Sequence, residues 1–198
     1  MKWNLKLLYK SPEDPQIEKD MQAIEKMCTD FAGKYNTAEK KYLQEEQGLF
    51  QILSDYEKME PHLVCKPLLY FYYLNDIESA NKKASSALQI LTGRMTAAGN
   101  KLTFFKIALG KITAGKQSEF LKSSKLARYK VYLQRIFSDA RYLLTEPEEK
   151  ILNLKNLPAS QMWVNGNQRR LSQLSIAYKG KKVPVPMAKN LINSTMNV

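Results

Sequence analysis

Residues 77–112 read IESANKKASSALQILTGRMTAAGNKLTFFKIALGKI and contain the longest helical pattern of the chain. Small or apolar side chains recur there at steps of three and four residues, the spacing of one helix face. A straight helix of this length would measure about 54 Å, at about 1.5 Å per residue. The pattern therefore predicts either one long helix, as a hairpin arm or a projection from the body, or a closely kinked pair. The stripe consists of Ile77, Ala80, Ala84, Ala87, Leu91, Arg94 or Met95, Ala98, Leu102, Phe105, Leu109 and Ile112.

Helical signals also precede this stretch. Asp14 and Pro15 are typical of a helix start, and the apolar spacing that follows predicts a helix ending near Gly33. A second helix is predicted over residues 37–59, with Pro61 closing it. Residues 67–74 are aromatic enough to form a strand, but their helical neighbours favour a helix.

The second half of the chain continues this pattern. An apolar stripe predicts a helix over residues 126–143, and Thr145 with Glu148 forms a capping box that starts a short helix to about residue 154. A further helix is predicted over 161–174, followed by a small β-ribbon over 174–187 and a helix-like pattern from 188 onward. We therefore predict an all-α fold: an elongated helical bundle with a long helical hairpin and a small β-ribbon near the C-terminus. Residues 1–115 would form an N-terminal helical lobe including the long helix, and residues 116–198 a second lobe with the ribbon.

The composition is that of a folded chain. Of its 198 residues, 44% are hydrophobic, which is enough for a packed core. No apolar stretch reaches the ~20 residues of a membrane span, and the first residues lack the apolar segment of a secretory signal, so we expect no membrane partner and a cytoplasmic location. Cys28 and Cys65 are too few for a disulfide framework or a zinc ribbon, which predicts reduced, buried thiols.

The residues present restrict the chemistry of the chain. A His-Glu-x-x-His zinc helix needs two histidines, and His62 is the only one. A serine or cysteine nucleophile would have to share His62, and the chain has no Gly-x-Ser-x-Gly turn. The sequence thus indicates neither a catalytic nor a metal-binding residue within this chain.

The net charge of +12 is distributed unevenly. Residues 1–60 contain 9 basic and 12 acidic side chains, residues 61–150 contain 15 and 7, and residues 151–198 contain 7 and none. Such a tail without carboxylates is unusual for a free-standing domain. Two explanations are open: the surface binds a polyanion such as nucleic acid, or it faces an acidic partner or a further domain.

Two local patterns have a functional and a structural interpretation. Residues 110–116 fit Gly-x4-Gly-Lys, but Gln117 replaces the Ser or Thr that holds Mg²⁺, so the glycines are better explained as helix ends. Basic residues of 122–141 alternate with tyrosines as in a nucleic-acid surface, yet the tyrosines lie on or beside the apolar stripe. A solvated face over a packed one is the preferred interpretation. The residues concerned are Lys122, Lys125, Arg128, Lys130, Arg135 and Arg141, with Tyr129, Tyr132 and Tyr142.

Several short segments, in order along the chain, resemble one enzyme family. They are WNL at 3–5, LY at 8–9, SPEDP at 11–15, DYE at 55–57, ND at 75–76, LTFF at 102–105, LLTEPEEKIL at 143–152 and MW at 162–163. Together with the alanine-striped helix, they are similar to the start of oligoendopeptidase F, a family of zinc metallopeptidases in the thimet-oligopeptidase group.

The resemblance implies a helical lid or channel wall of a zinc metalloendopeptidase that hydrolyses short peptides. The family's zinc site, His-Glu-x-x-His with a downstream glutamate, has no counterpart here, so we expect this N-terminal portion to bind no zinc and to be inactive alone. The expected partners are the downstream catalytic domain and short peptides, and the alternative is a basic helical nucleic-acid-binding module. Arg169 and Arg170 are candidates for contacting a peptide carboxylate in the channel, with ordinary surface charge as the preferred interpretation. Trp163 is a candidate substrate platform that we likewise interpret as a core anchor.

Overall fold

The computed structural model describes residues 4–78, 81–178 and 180–185. It confirms an all-α fold with a small β-ribbon near the C-terminus. The helices are α1 (Pro15–Tyr35), α2 (Glu46–Leu63), α3 (Lys66–Ile77), α4 (Lys82–Asn100), α5 (Thr103–Gly110), α6 (Ala114–Lys122), α7 (Lys130–Asp139), α8 (Glu146–Asn156) and α9 (Met162–Gln173), and the strands are β1 (Ser175–Tyr178) and β2 (Lys181–Pro184). None of the helices among these residues is long and apolar enough to cross a membrane.

Helix α1 begins where the sequence predicts. Asp14 caps it by accepting a hydrogen bond from the Gln16 amide at 3.0 Å, and Pro15 occupies the first turn, where its missing N–H is not needed. The helix continues to Tyr35, two residues beyond the predicted end near Gly33. The predicted stripe is buried in full: Ile17, Met21, Ile24, Cys28 and Phe31.

Helix α2 begins later and ends later than the predicted range of 37–59. It begins at Glu46, and residues Lys41–Leu43 form a separate 3₁₀ turn after Lys40, whose φ of 42° is left-handed. This turn lies so close to α2 that a Cβ on Gly48 would stand 2.8 Å from the Tyr42 Cα. Pro61 lies inside the last turn of α2 and does not close it, because the helix continues for two residues to Leu63.

The long pattern of residues 77–112 forms a kinked pair and not one helix. α3 follows the predicted 67–74 helix and extends to Ile77, so the pattern itself begins only with α4 at Lys82. α4 ends at Asn100, and α5 begins at Thr103. Five of the eight residues of α5 are buried, so this helix lies inside the core. The bend between α4 and α5 directs the chain into the core. They are Phe104, Phe105, Ile107, Ala108 and Leu109.

The region after α5 contains more breaks than predicted. α6 was not predicted, and it anchors Phe120 in the core. The helix expected over 126–143 is reduced to α7, with 3₁₀ turns at Ala127–Tyr129 and Ala140–Tyr142 on either side. Most of the predicted stripe is buried although the helix is shorter than predicted. The buried members are Leu126, Tyr129, Leu133 and Ile136. Ala140 and Leu143 remain partly exposed.

The predicted ribbon is a two-stranded antiparallel sheet. Ser175 pairs with Pro184 and Tyr178 with Lys181, and Gly180 in the turn has a φ of +76° that favours glycine. The strands are confirmed, whereas the helix-like pattern of residues 188–198 lies outside the described residues. Cys28 and Cys65 are buried and unpaired, as predicted.

Candidate functional site

The segment from Glu146 to Gln173 forms a helical rod with one irregularity. α8 starts with the predicted capping box, in which the Thr145 amide donates to the Glu148 carboxylate at 2.8 Å. α8 and α9 are joined by a π-helical turn over Leu157–Gln161, which is closed by the bond from the Met162 amide to the Leu157 carbonyl. Pro158 lies in this turn and lacks the amide of a regular helix, so the backbone widens there. Such a rod is about 42 Å long at ~1.5 Å per residue.

Only the first half of this rod lies against the body. α8 packs on α4 and α5, and the Asn153 amide donates to the Asn100 side chain at 2.8 Å. α9 contacts mainly the π-helical turn. The last buried side chain along the described chain is Ile136. α9 and the ribbon therefore project from a core that is complete without them.

Many apolar side chains of the rod and of the ribbon after it are exposed. We call this set of side chains the apolar rod surface, and it is the most extensive group of exposed large apolar side chains among the described residues. Its members are Ile151, Leu152, Leu154, Met162, Trp163, Val164, Leu171, Leu174 and Ile176. An apolar surface of this extent marks an interaction site in a monomeric protein.

The sequence signal for this surface was present but indistinct. Residues 151–176 contain apolar side chains at a density that is ordinary for a packed helix, so the pattern predicts burial rather than exposure. The absence of carboxylates after Glu149 was the more informative feature. It favours a segment that contacts a polyanion, an acidic partner or a further domain.

The structure brings two of the three predicted channel residues together. Trp163 and Arg170 are seven residues apart on α9, two helical turns, so they share a face. Trp163 is 70% exposed and borders a groove of about 290 Å³ with Pro158, Met162, Gly166 and Asn167. The interpretation of Trp163 as a core anchor is therefore wrong, because none of the elements that the structure describes covers the indole. Arg170 is exposed, and the side chain of Arg169 lies outside the described part.

Part of the basic and tyrosine-rich region of residues 122–142 contacts α2. Arg128 forms an ion pair with Glu57 at 2.6 Å, and the Tyr129 hydroxyl donates to the same carboxylate at 2.8 Å. Tyr129 is buried, and Lys125 bonds the side chain of Gln47. These contacts fix the segment just before α7 to α2. For these residues the structure favours the structural interpretation and not a nucleic-acid surface.

The Gly-x4-Gly-Lys pattern lies at helix ends, as preferred from the sequence. Gly110 is the last residue of α5, and Gly115 lies in the first turn of α6. A Cβ on Gly110 would stand 3.2 Å from that of Ala140, so this glycine permits close packing. Lys116 pairs with Glu119 at 2.8 Å, and its ammonium group is thereby engaged within α6.

A groove between α1 and α2 combines polar and apolar groups in a volume of about 450 Å³. Lys34 pairs with Asp55 at 2.7 Å, and the Tyr35 hydroxyl donates to the same oxygen at 2.6 Å. Burial raises the pKa of Asp55, but these hydrogen bonds outweigh it and lower the pKa to about 2. The cluster is thus a neutralised structural contact that sequence spacing did not reveal.

Part of this region is similar to a known protein family. Residues 109–175, from the end of α5 to the first residue of β1, match the N-terminal family model of the M3 peptidases, described as oligopeptidase F. This segment is similar to the N-terminal part of the oligopeptidase F family. The resemblance is thereby confirmed for the region that contains the rod, and the chain includes a peptidase-associated N-terminal domain. None of the curated proteins matches the chain.

One solved structure is similar to the chain over most of its length. It is a crystal structure titled as that of a peptidase from Chlamydophila abortus, with 19% identity and a TM-score of 0.49. The alignment covers 96% of this chain and 32% of that chain. The present chain thus spans about a third of the length of that protein.

Proposed function

We propose that the chain is the helical lid or channel wall of an oligoendopeptidase F-like zinc metalloendopeptidase, which hydrolyses short peptides. The observation that supports this proposal is the oligopeptidase F match over 109–175, the segment that includes the exposed rod. In this proposal the body of the chain is a rigid helical wall, and the peptide bond is cleaved by residues outside it.

The wall would select substrates by size. A packed helical body beside a deep channel admits an extended peptide and excludes a folded protein. Closing the channel also removes water around the reacting groups, which strengthens the electrostatic interactions inside. The chain would therefore contribute specificity and shielding.

The residues of this chain do not fit a zinc site. It has one histidine, His62, which is exposed at the end of α2. Within the described ranges, no three His, Cys, Asp or Glu side chains lie close enough together to hold a metal ion. We therefore assign no catalytic step to zinc on this chain, and the metal of the proposed enzyme would be held elsewhere.

The face of α9 with Trp163 and Arg170 would line the channel. An exposed indole offers a flat apolar surface for a peptide side chain, and a guanidinium pairs well with a terminal carboxylate. Arg170 has no carboxylate near it in sequence, since none follows Glu149. Arg169 is the second candidate for this contact.

The first experiment compares the isolated chain with the same chain joined to the zinc-site region of an oligopeptidase F-family enzyme. The substrate is a short quenched-fluorescence peptide, with added zinc. We expect cleavage only by the joined polypeptide and its loss on chelation. Hydrolysis by the isolated chain would contradict the assignment of catalysis to other residues.

A second experiment tests the channel residues in the joined enzyme. Replacing both arginines (Arg169→Ala with Arg170→Ala) should raise KM for a peptide with a free C-terminal carboxylate by about 3–10-fold and leave the C-terminal amide unaffected. Lys26→Ala is the control, because Lys26 lies on α1 and pairs with Asp30. Equal changes in KM for the two peptides would show that the arginines do not contact the C-terminal carboxylate.

Nucleic-acid binding is the competing outcome. If neither form cleaves peptide, and the chain binds RNA or DNA with an affinity that falls steeply with salt, the basic-module hypothesis replaces the peptidase one.

A further inference from the structure

The apolar side chains of α9 point in several directions. Met162, Trp163 and Val164 are consecutive, so they are directed about 100° apart around the helix axis. Their exposed fractions are 53%, 70% and 46%. Leu171, in the last turn of α9, is 51% exposed. A helical turn that is apolar on several sides, like the first turn of α9, is normally covered by protein, whereas a surface helix has one apolar stripe.

The surroundings of α9 are basic. Lys155, Lys181 and Lys182 are exposed, and residues 150–198 contain no carboxylate that could neutralise them. On the body, by contrast, Arg94 and Arg128 are paired with glutamates. A partner surface that is complementary in charge to this region would therefore contain carboxylates.

A second copy of the chain is a poor occupant for this surface. A two-fold contact would bring identical lysine-rich surfaces together, and like charges at an interface oppose association. Such a contact would also cover a single face of α9 and leave the others in water. The surface instead fits a cleft that contacts α9 on more than one side.

We propose that α9 inserts into an apolar, carboxylate-rimmed cleft of the peptidase's catalytic region, with Val164 and Leu171 as anchors. This inference rests on the proposed function and names the surface through which the wall is attached. Val164 and Leu171 are seven residues apart and share a face next to that of Trp163 and Arg170. One face would then attach the helix while its neighbour lines the channel.

Thiol labelling tests this proposal, because both native cysteines are buried and an introduced one is the accessible thiol. Leu171→Cys reports on the anchor, and Val131→Cys is the matched control, since Val131 is 78% exposed on α7. In the isolated chain, sedimenting as a monomer, both should react rapidly. In the joined polypeptide the thiol at position 171 should react at least ~100-fold more slowly, and that at 131 as before.

Two results would overturn the inference. Protection of position 171 in the isolated chain, with dimers in sedimentation, would assign the surface to a second copy. Equal reactivity of positions 171 and 131 in a joined polypeptide that cleaves peptide would refute docking and leave the proposed function intact. Protection at 171 without cleavage would support docking and count against the function.

A binding titration provides an independent test if joining disturbs folding. The 198-residue chain is mixed with the separately produced catalytic region of an oligopeptidase F-family enzyme. Lys181→Glu with Lys182→Glu should weaken binding by at least ~10-fold, and Leu171→Asp by more, whereas Val131→Asp should bind as the unaltered chain does. No binding, or an equal loss with Val131→Asp, would overturn the proposal.

Discussion

Arg94 of α4 forms a bidentate ion pair with Glu25 of α1, through its Nε at 2.8 Å and its Nη2 at 2.9 Å. Nη1 of the same guanidinium donates to the Glu18 carboxylate at 2.6 Å, and Glu18 lies two helical turns before Glu25 on α1. Its side chain is 27% exposed, so water screens these pairs only in part. The planar guanidinium can serve two carboxylates at once, which a lysine ammonium cannot reproduce.

Arg94→Met should therefore destabilise the chain by about 1–3 kcal/mol, because Glu18 and Glu25 lose their partner and repel each other. Arg94→Lys should recover only part of this loss. The measurement is urea denaturation followed by circular dichroism. Lys26→Met removes an exposed pair with Asp30 and should change stability by less than about 0.5 kcal/mol. Equal effects of the two changes would contradict the importance of the bidentate geometry.

The Asp55 cluster predicts a dependence of stability on acid. The pKa of Asp55 falls from 3.8 to about 2 in the folded chain, so its contribution is complete above about pH 5 and is lost as the pH falls through about 2. Asp55→Asn should cost about 1–2 kcal/mol at pH 7, and the difference from the unaltered chain should vanish near pH 2. Denaturation at pH 7, 4, 3 and 2 tests this. If the difference in stability between Asp55→Asn and the unaltered chain did not change with pH, the carboxylate charge would not contribute to stability.

Gly48 should tolerate no side chain, although it lies in a helix where alanine is otherwise preferred. Its Cβ would approach the Tyr42 Cα to 2.8 Å, and backbone cannot move aside as a flexible side chain can. Gly48→Ala should therefore lower stability by about 1–3 kcal/mol. Gly93→Ala is the control on α4, where nothing lies within 4 Å, and it should raise stability by up to about 1 kcal/mol. Thermal melts of both variants decide the point.

Both thiols should be inert in the folded chain. Burial raises the pKa of Cys28 and of Cys65, which lowers the fraction of reactive thiolate, and both side chains are at most 1% exposed. A disulfide reagent should titrate two thiols at once in guanidinium, and in buffer only at the rate of unfolding. Rapid reaction of either thiol in buffer would reveal local opening of the core.

The elements predicted well from sequence have their own start signals. Asp14 with Pro15 and Thr145 with Glu148 each act within one helical turn, so their helices begin where expected. The misplaced boundaries lie where packing overrides local preference. α2 begins late because the turn around Tyr42 packs on Gly48, and α4 breaks before α5 because five side chains of α5 enter the core.

The candidate site was predictable only in part. The lack of carboxylates after Glu149 pointed to a partner, and the residues of the rod were correctly assigned to helices and a ribbon. Trp163 was misjudged because burial depends on which elements cover a side chain, and spacing along one helix does not contain that information. The roles of Arg128 and Tyr129 were likewise decided by Glu57, some 70 residues away in sequence.

The amino-acid sequence by itself determined the helical class, the capped helix starts, the reduced thiols and the lack of a two-histidine metal motif, because each follows from composition or from residues within a turn or two of one another. The tertiary structure alone decided that residues 77–112 bend into the core and that α9 stands away from it with its apolar side chains exposed. The physical reason is that apolar periodicity states which side of a helix avoids water, whereas only the arrangement of all the helices determines whether another element covers that side.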